Sequence, residues 1–112
     1  MYTVMRKYDL TPGTKEKMIQ DVQARLVPVL IRVPGFREYA LVEAGDNEVI
    51  ITSTFNTFAD AKASARLTKD WLVDHAELFQ EVSTIVAGEV RVHTTPEHLP
   101  PTNEEELLRG VF

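Results

Sequence analysis

Apolar and polar positions alternate from Tyr2 to Tyr8, putting Tyr2, Val4, Arg6 and Tyr8 on one face and Thr3, Met5 and Lys7 on the other. That period of two predicts a first strand. The period then changes. Thr11-Pro12-Gly13-Thr14 opens a helix, with Pro suited to a first helical turn and Thr to a cap. Met18, Val22, Leu26 and Leu30 recur every fourth residue as one apolar stripe. Pro28 falls inside the stripe, where its ring opposes the carbonyl of Ala24 and it donates no hydrogen bond. The expectation is a kink there, or an end near Val27 and a short second turn through Val33. Pro34-Gly35 turns the chain into a second strand, Phe36 to Ala44. Gly45-Asp46-Asn47 is of hairpin length, and a third strand follows from Glu48 to Phe55. Thr57-Phe58-Ala59-Asp60 has the form of a capping box. It starts a second helix reaching about Phe79, with Phe58, Ala61, Ala65, Thr68, Leu72, Ala76 and Phe79 down one face. Alternation from Val82 to His93 predicts the last strand, with Gly88 marking a bulge or a close backbone approach.

The order strand, helix, strand, strand, helix, strand is that of a ferredoxin-like βαββαβ fold, an α+β domain. Its crossovers set both helices on one face of a four-stranded antiparallel sheet. The strands are apolar on both faces. Tyr39 and Leu41 share one face of the second strand, and Phe36, Ala40 and Val42 the other. The third offers Val49, Ile51 and Phe55 on one face and Ile50 on the other. A sheet with one face in water reads more cleanly polar there, so a second copy is expected to cover it and close a dimeric α+β barrel. The domain is expected over residues 1–94. Residues 95–112 are expected to be a proline-rich arm with a short helix opened by Thr102 or Asn103, a disordered tail being the alternative. Leu107, Leu108, Val111 and Phe112 give it an apolar face expected to pack across the dimer.

At 112 residues there is room for one core. Twelve Lys+Arg against seventeen Asp+Glu leave a net charge of −5 with no basic cluster, which argues against nucleic acid or an anionic membrane as partner. The longest apolar run, Val27 to Ile31, is too short to span a bilayer, and the first residues lack the pattern of a secretory signal. With no cysteine there is no thiolate ligand or thiol nucleophile. A cytoplasmic protein is expected.

Four stretches carry a resemblance: the opening strand leading to Thr11-Pro12-Gly13, the turn Val33-Pro34-Gly35-Phe36, the helix start Phe55-Asn56-Thr57-Phe58-Ala59-Asp60-Ala61, and Ala87-Gly88-Glu89-Val90-Arg91-Val92. In order and spacing they resemble the antibiotic biosynthesis monooxygenase-like (ABM) domains of the dimeric α+β barrel superfamily over about residues 1–94. The resemblance implies a homodimer with a pocket in each subunit between helices and sheet. Members include monooxygenases that oxidise electron-rich aromatic compounds without flavin or metal, and others that degrade haem. It therefore implies a cofactor-free enzyme acting on a small hydrophobic, aromatic or polyketide-like molecule. A non-catalytic ligand-binding dimer is the alternative, and a haem protein the lesser one.

Trp71 and His75 are four residues apart on the second helix, hence neighbours on its surface. Lining such a pocket, Trp71 would serve as an aromatic wall or oxygen-handling donor and His75 as a proton relay; otherwise Trp71 is core and His75 bonds a backbone carbonyl. Arg6, Tyr8, Tyr39 and Arg91 are polar residues on largely buried strands and could hold a phenolate or carboxylate, or make cross-strand pairs or face solvent at a strand end. Asn56 joins them as a binding candidate, or is simply the residue before the Thr57 cap. The haem-degrading pattern places its Asn on the first strand, where this chain has Arg6 and Tyr8, and spaces Trp and His further apart. His93 and His98 find no third ligand at a sensible spacing, so no metal site is expected.

Overall fold

The computed structural model of the chain describes residues 1–96, with the backbone alone at 81–83. The arm expected from residue 95, its helix and its docking therefore lie outside the described residues save for the first two. Four strands, β1 (Tyr2–Leu10), β2 (Phe36–Gly45), β3 (Glu48–Phe55) and β4 (Phe79–Glu89), form one antiparallel sheet in the order β2-β3-β1-β4. One helical run crosses from β1 to β2, and α3 (Phe58–Asp74) crosses from β3 to β4. This is the ferredoxin-like order expected.

The first helical run shows how the chain accommodates Pro28. It consists of α1 (Lys15–Asp21), a π-helical stretch (Val22–Leu26) and a last turn, α2 (Val27–Leu30). Val27 N–H bonds the Val22 carbonyl, one residue further back than in an α-helix, and Ile31 N–H returns to the ordinary register on Val27 at 3.0 Å. An α-helix with proline in its interior loses about 3 kcal/mol; a wider turn ahead of the ring relieves that conflict and keeps the run going. It has a second effect. Residues four apart drift by about 40° per step in a helix of 3.6 residues per turn. The wide turn absorbs part of the drift, and Met18, Val22, Leu26 and Leu30 are all buried. Pro12 stands outside the helix, in a turn closed by Gly13 at φ 84°. Thr14 is the N-cap, yet its hydroxyl donates to the carbonyls of Thr11 and Leu78 rather than capping.

A bulge in β2, the register of β4 and a helix boundary correct the expected pattern. In β2 the register passes from Phe36 opposite Phe55 to Glu38 opposite Thr54, so Arg37 is the extra residue. The shift turns Phe36 to the helix side, away from Ala40 and Val42, where its ring meets Phe55 at 5.9 Å. Gly88 pairs in regular register with Thr3 and has open space around it; the irregularities of β4 lie at its other end, opposite Lys7/Tyr8 and Asp9/Leu10. The second helix stops at Asp74, not Phe79, with His75 leaving helical geometry at φ −123°. Leu78, in the short turn Ala76–Leu78, is fully buried and its carbonyl accepts from Thr11 N–H at 3.0 Å. That anchor ends the helix and starts β4 at Phe79, ahead of the expected Val82. The strand also closes at Glu89, before His93.

Thr57 caps α3 as expected, accepting from Asp60 N–H at 3.1 Å. Gly35, at φ 80°, sits so close to Asp60 that any Cβ would strike the carboxylate. The core has two parts, one around Tyr8, Leu10, Met18, Val22, Val49, Ile51 and Leu78, the other around Val4, Val33, Phe55 and Ala61. On the sheet's other face Met5, Val42 and Val86 are exposed, and Thr3 and Thr54 share a hydroxyl hydrogen bond of 2.8 Å. Among the described residues no helix is long and apolar enough to cross a membrane.

Candidate functional site

All four strands, the first helical run and α3 contribute to one cavity between helices and sheet. Arg6 and Tyr8 come from β1, Tyr39 from β2, Ile51 from β3 and Phe79 from β4. Met18, Val22 and Leu26 come from the first helical run, and Thr68, Trp71 and Leu72 from α3. Strand alternation explains the first two, since β1 turns Val4, Arg6 and Tyr8 to the helices together. Helical spacing sets Thr68 and Trp71 on one face of α3.

Aromatic rings frame the space. Phe79 stands edge-on to Trp71, with centroids 5.9 Å apart, and lies 5.3 Å from Tyr8. Trp71 stacks on its other neighbour, His75, at 4.3 Å and 17°. His75 Nδ1 is 2.9 Å from the Trp71 carbonyl oxygen. A carbonyl only accepts, so Nδ1 carries the proton and donates.

The polar groups of the cavity are donors. Trp71 Nε1–H is buried and has no hydrogen-bond partner. Leaving such a donor unsatisfied costs about 1–3 kcal/mol, which an acceptor oxygen brought to it would recover. Burial pushes the Tyr8 hydroxyl above the ordinary phenol range, against the opposing pull of Arg6. Burial raises Tyr39 further, Tyr8 adds to the effect and Arg6 again opposes it. Both phenols therefore stay protonated at neutral pH and act as donors rather than bases. The Arg6 guanidinium brings the positive charge. The Thr68 hydroxyl donates to the Ser64 carbonyl at 3.0 Å, so toward the cavity it offers, like the phenol oxygens, lone pairs that accept. The enclosed space is small, a cavity volume of ≈ 10 Å³, and about one water needs 10–15 Å³.

Of the residues singled out in the sequence, Arg6, Tyr8, Tyr39 and Trp71 meet at this cavity. His75 is not among the lining residues and touches the site through Trp71. Asn56 is exposed, accepts from Arg37 at 3.3 Å and borders a separate depression with Tyr2, Phe58 and Glu89. Arg91 lies beyond the end of β4 and is exposed. Phe79 and Thr68 were missed. Helical spacing puts Phe79 at the end of the second helix, whereas β4 begins there and turns it inward; Thr68, three residues before Trp71, shares the helical spacing of the Trp.

A family model described as antibiotic biosynthesis monooxygenase matches residues 1–69. No curated protein matches the chain in sequence. Among solved structures, the chain is similar to a protein of unknown function from Nitrosomonas europaea, at 16% identity and a TM-score of 0.70 over 85% of this chain and 93% of that one. It is similar to another protein of that organism, provisionally assigned as an antibiotic biosynthesis monooxygenase, at 16% identity and 0.71 over 82% and 100%. HapK from Hahella chejuensis gives 14% and 0.70 over 85% and 98%. At these identities the likeness is one of fold.

Proposed function

The chain belongs to the antibiotic biosynthesis monooxygenase family, and from that premise we propose that it oxygenates a small aromatic or polyketide-like compound without a cofactor. The observation that carries the reading is the unpartnered Trp71 Nε1–H in a cavity that also holds Arg6 and two protonated tyrosines. Such a set favours an anionic oxygen over a neutral one.

The chemistry follows from that preference. A phenol or enol binds with its oxygen toward Trp71 Nε1–H and the Arg6 guanidinium, which together favour loss of its proton to water as it enters. The resulting anion is electron-rich at carbon and gives electrons to dioxygen. A carbon–oxygen bond forms, the peroxide anion takes a proton back from water, and the hydroperoxide loses its carbon-bound hydrogen and hydroxide as water to leave a new carbonyl. One oxygen atom ends in the product and the other in water. The substrate supplies all four electrons, so no outside reductant is required. Tyr8 and Tyr39, kept neutral by burial, donate hydrogen bonds to the peroxide and carbonyl oxygens. The walls of Met18, Val22, Leu26 and Phe79 exclude water from the intermediates. His75 acts on Trp71, holding its ring by the stack and its backbone by the carbonyl bond. Asn56 and Arg91 stand outside the cavity and have no part in this scheme.

A second copy of the chain is proposed as the cover for the sheet's open face, where Met5, Val42 and Val86 present apolar side chains to solvent. The functional reading is tested by oxygen uptake with 1-naphthol, which would yield a naphthoquinone and water. Absence of both uptake and binding at millimolar naphthol would sink it.

A further inference from the structure

We propose that the Trp71 cavity and the cleft outside it are the inner and outer compartments of one binding site, divided by the ring of Tyr39. The inference rests on the functional reading above and adds to it a route of entry and a shape of ligand.

A separate cleft of ≈ 300 Å³ lies on the flank of the first helical run, lined by Ile19, Val22, Gln23, Val27, Tyr39 and Leu41. Two of its residues, Val22 and Tyr39, also line the inner cavity. The compartments therefore touch across those two side chains. Neither is a ligand site alone. The inner one has room for about one water, and the outer one is at the lower limit of ligand pockets, which run from about 300 to 1,000 Å³. The chemistry is inside, at Trp71 Nε1, and the room is outside.

Tyr39 is suited to move. It stands on β2, an edge strand with a neighbour on one side only. It is half-buried, and among the described residues its hydroxyl makes no hydrogen bond that a rotation would break. Val22, on the other side of the divide, opens the π-helical stretch. That stretch places Val22 in both linings and Leu26 in the inner one, while Gln23 faces the cleft. A π-turn inserted in a helix is a frequent mark of a functional site. Here it borders the division itself.

The ligand that fits is elongated, with an acceptor oxygen on a planar ring at one end and an apolar remainder at the other. The ring end turns the Tyr39 ring aside as it enters and reaches Trp71, the Tyr39 hydroxyl then facing its reacting end, while the remainder lies along Ile19, Val27 and Leu41 in the cleft.

Trp71 is the single tryptophan of the chain, so a 15N-labelled sample has one indole N–H signal and it reports the inner compartment directly. In Tyr39→Ala, solvent exchange of that proton should accelerate on the order of tenfold, as expected when a local barrier is removed. Tyr39→Phe, which keeps the ring, should exchange like the wild type. Unchanged exchange in a folded Tyr39→Ala protein overturns the division. Gln23→Phe fills the cleft from an exposed position, so stopped-flow association of 1-naphthol should slow by roughly fivefold or more; an unaffected rate places the entrance elsewhere and overturns the route. Should naphthol bind neither wild type nor variant, the functional reading fails, whereas the exchange experiment still decides the division because it uses no ligand.

Discussion

The rings of Trp71 and His75 lie nearly parallel, 4.3 Å apart, and His75 Nδ1–H is bonded at 2.9 Å to the carbonyl of Trp71 itself. One residue thus holds both the side chain and the main chain of the other, at the point where α3 ends. The stack and the hydrogen bond fix the indole ring and its backbone together at that helix end.

That arrangement separates two roles for His75. Replacing His75 by Ala should lower turnover several-fold by letting the Trp71 ring move, with no change in the pH profile of kcat/KM. Loss of one hydrogen bond and one stack should also cost about 1–2 kcal/mol of stability. An altered acidic or basic limb in the profile would instead make His75 the proton relay.

Trp71→Phe removes the unpartnered donor while keeping a ring. Oxygen uptake with 1-naphthol should fall by about 10²-fold, comparable to loss of a single oxyanion donor. The melting temperature should change little, because the lost packing is offset by removal of a buried unsatisfied group. Unaltered uptake in a folded Trp71→Phe protein would remove Nε1 from the mechanism.

Arg6→Met should weaken binding of the naphthol anion by roughly 10- to 100-fold, the range for a charge-assisted hydrogen bond. The apparent pKa of the bound naphthol should rise, since the positive charge that favours its ionised form is gone. Titration calorimetry across pH reads both effects. Equal affinity in variant and wild type would place the anion elsewhere.

Stability should decline in alkali. Burial raises the folded pKa values of Tyr39 and Tyr8 above the ordinary phenol value of about 10, so in alkali the folded state keeps protons that the unfolded state has lost. Their contribution is complete below about pH 10 and is lost as pH rises toward the folded values, at about 1.4 kcal/mol per pH unit for each group. Tyr39→Phe should flatten that decline in urea unfolding between pH 9.5 and 11, in roughly the proportion of one group in two. An equally steep decline in the variant would contradict the burial of Tyr39.

Val42→Asp combined with Val86→Asp places charges on the open face of the sheet, where both side chains are exposed. If a second copy covers that face, sedimentation equilibrium should show wild-type dimers and a variant monomer of 12.7 kDa. A wild-type monomer at micromolar concentration would end the proposal.

Local patterns along the chain determined the elements, the order βαββαβ, the cap at Thr57, and the common face of Arg6 and Tyr8, because alternation and helical spacing act between near neighbours. The spacing of Met18, Val22, Leu26 and Leu30 at four, not 3.6, also matches an underwound helix. What they could not convey came from contacts distant in sequence. Arg37 becomes a bulge only in pairing with β3, and that alone sends Phe36 inward. The end of α3 depends on Leu78 meeting the start of the first helix, and with it the place of Phe79. The unpartnered donor of Trp71 exists only because four strands and two helical runs close around it. A hydrogen bond that is missing, like a cavity, belongs to no segment of chain, so only the tertiary structure could decide it.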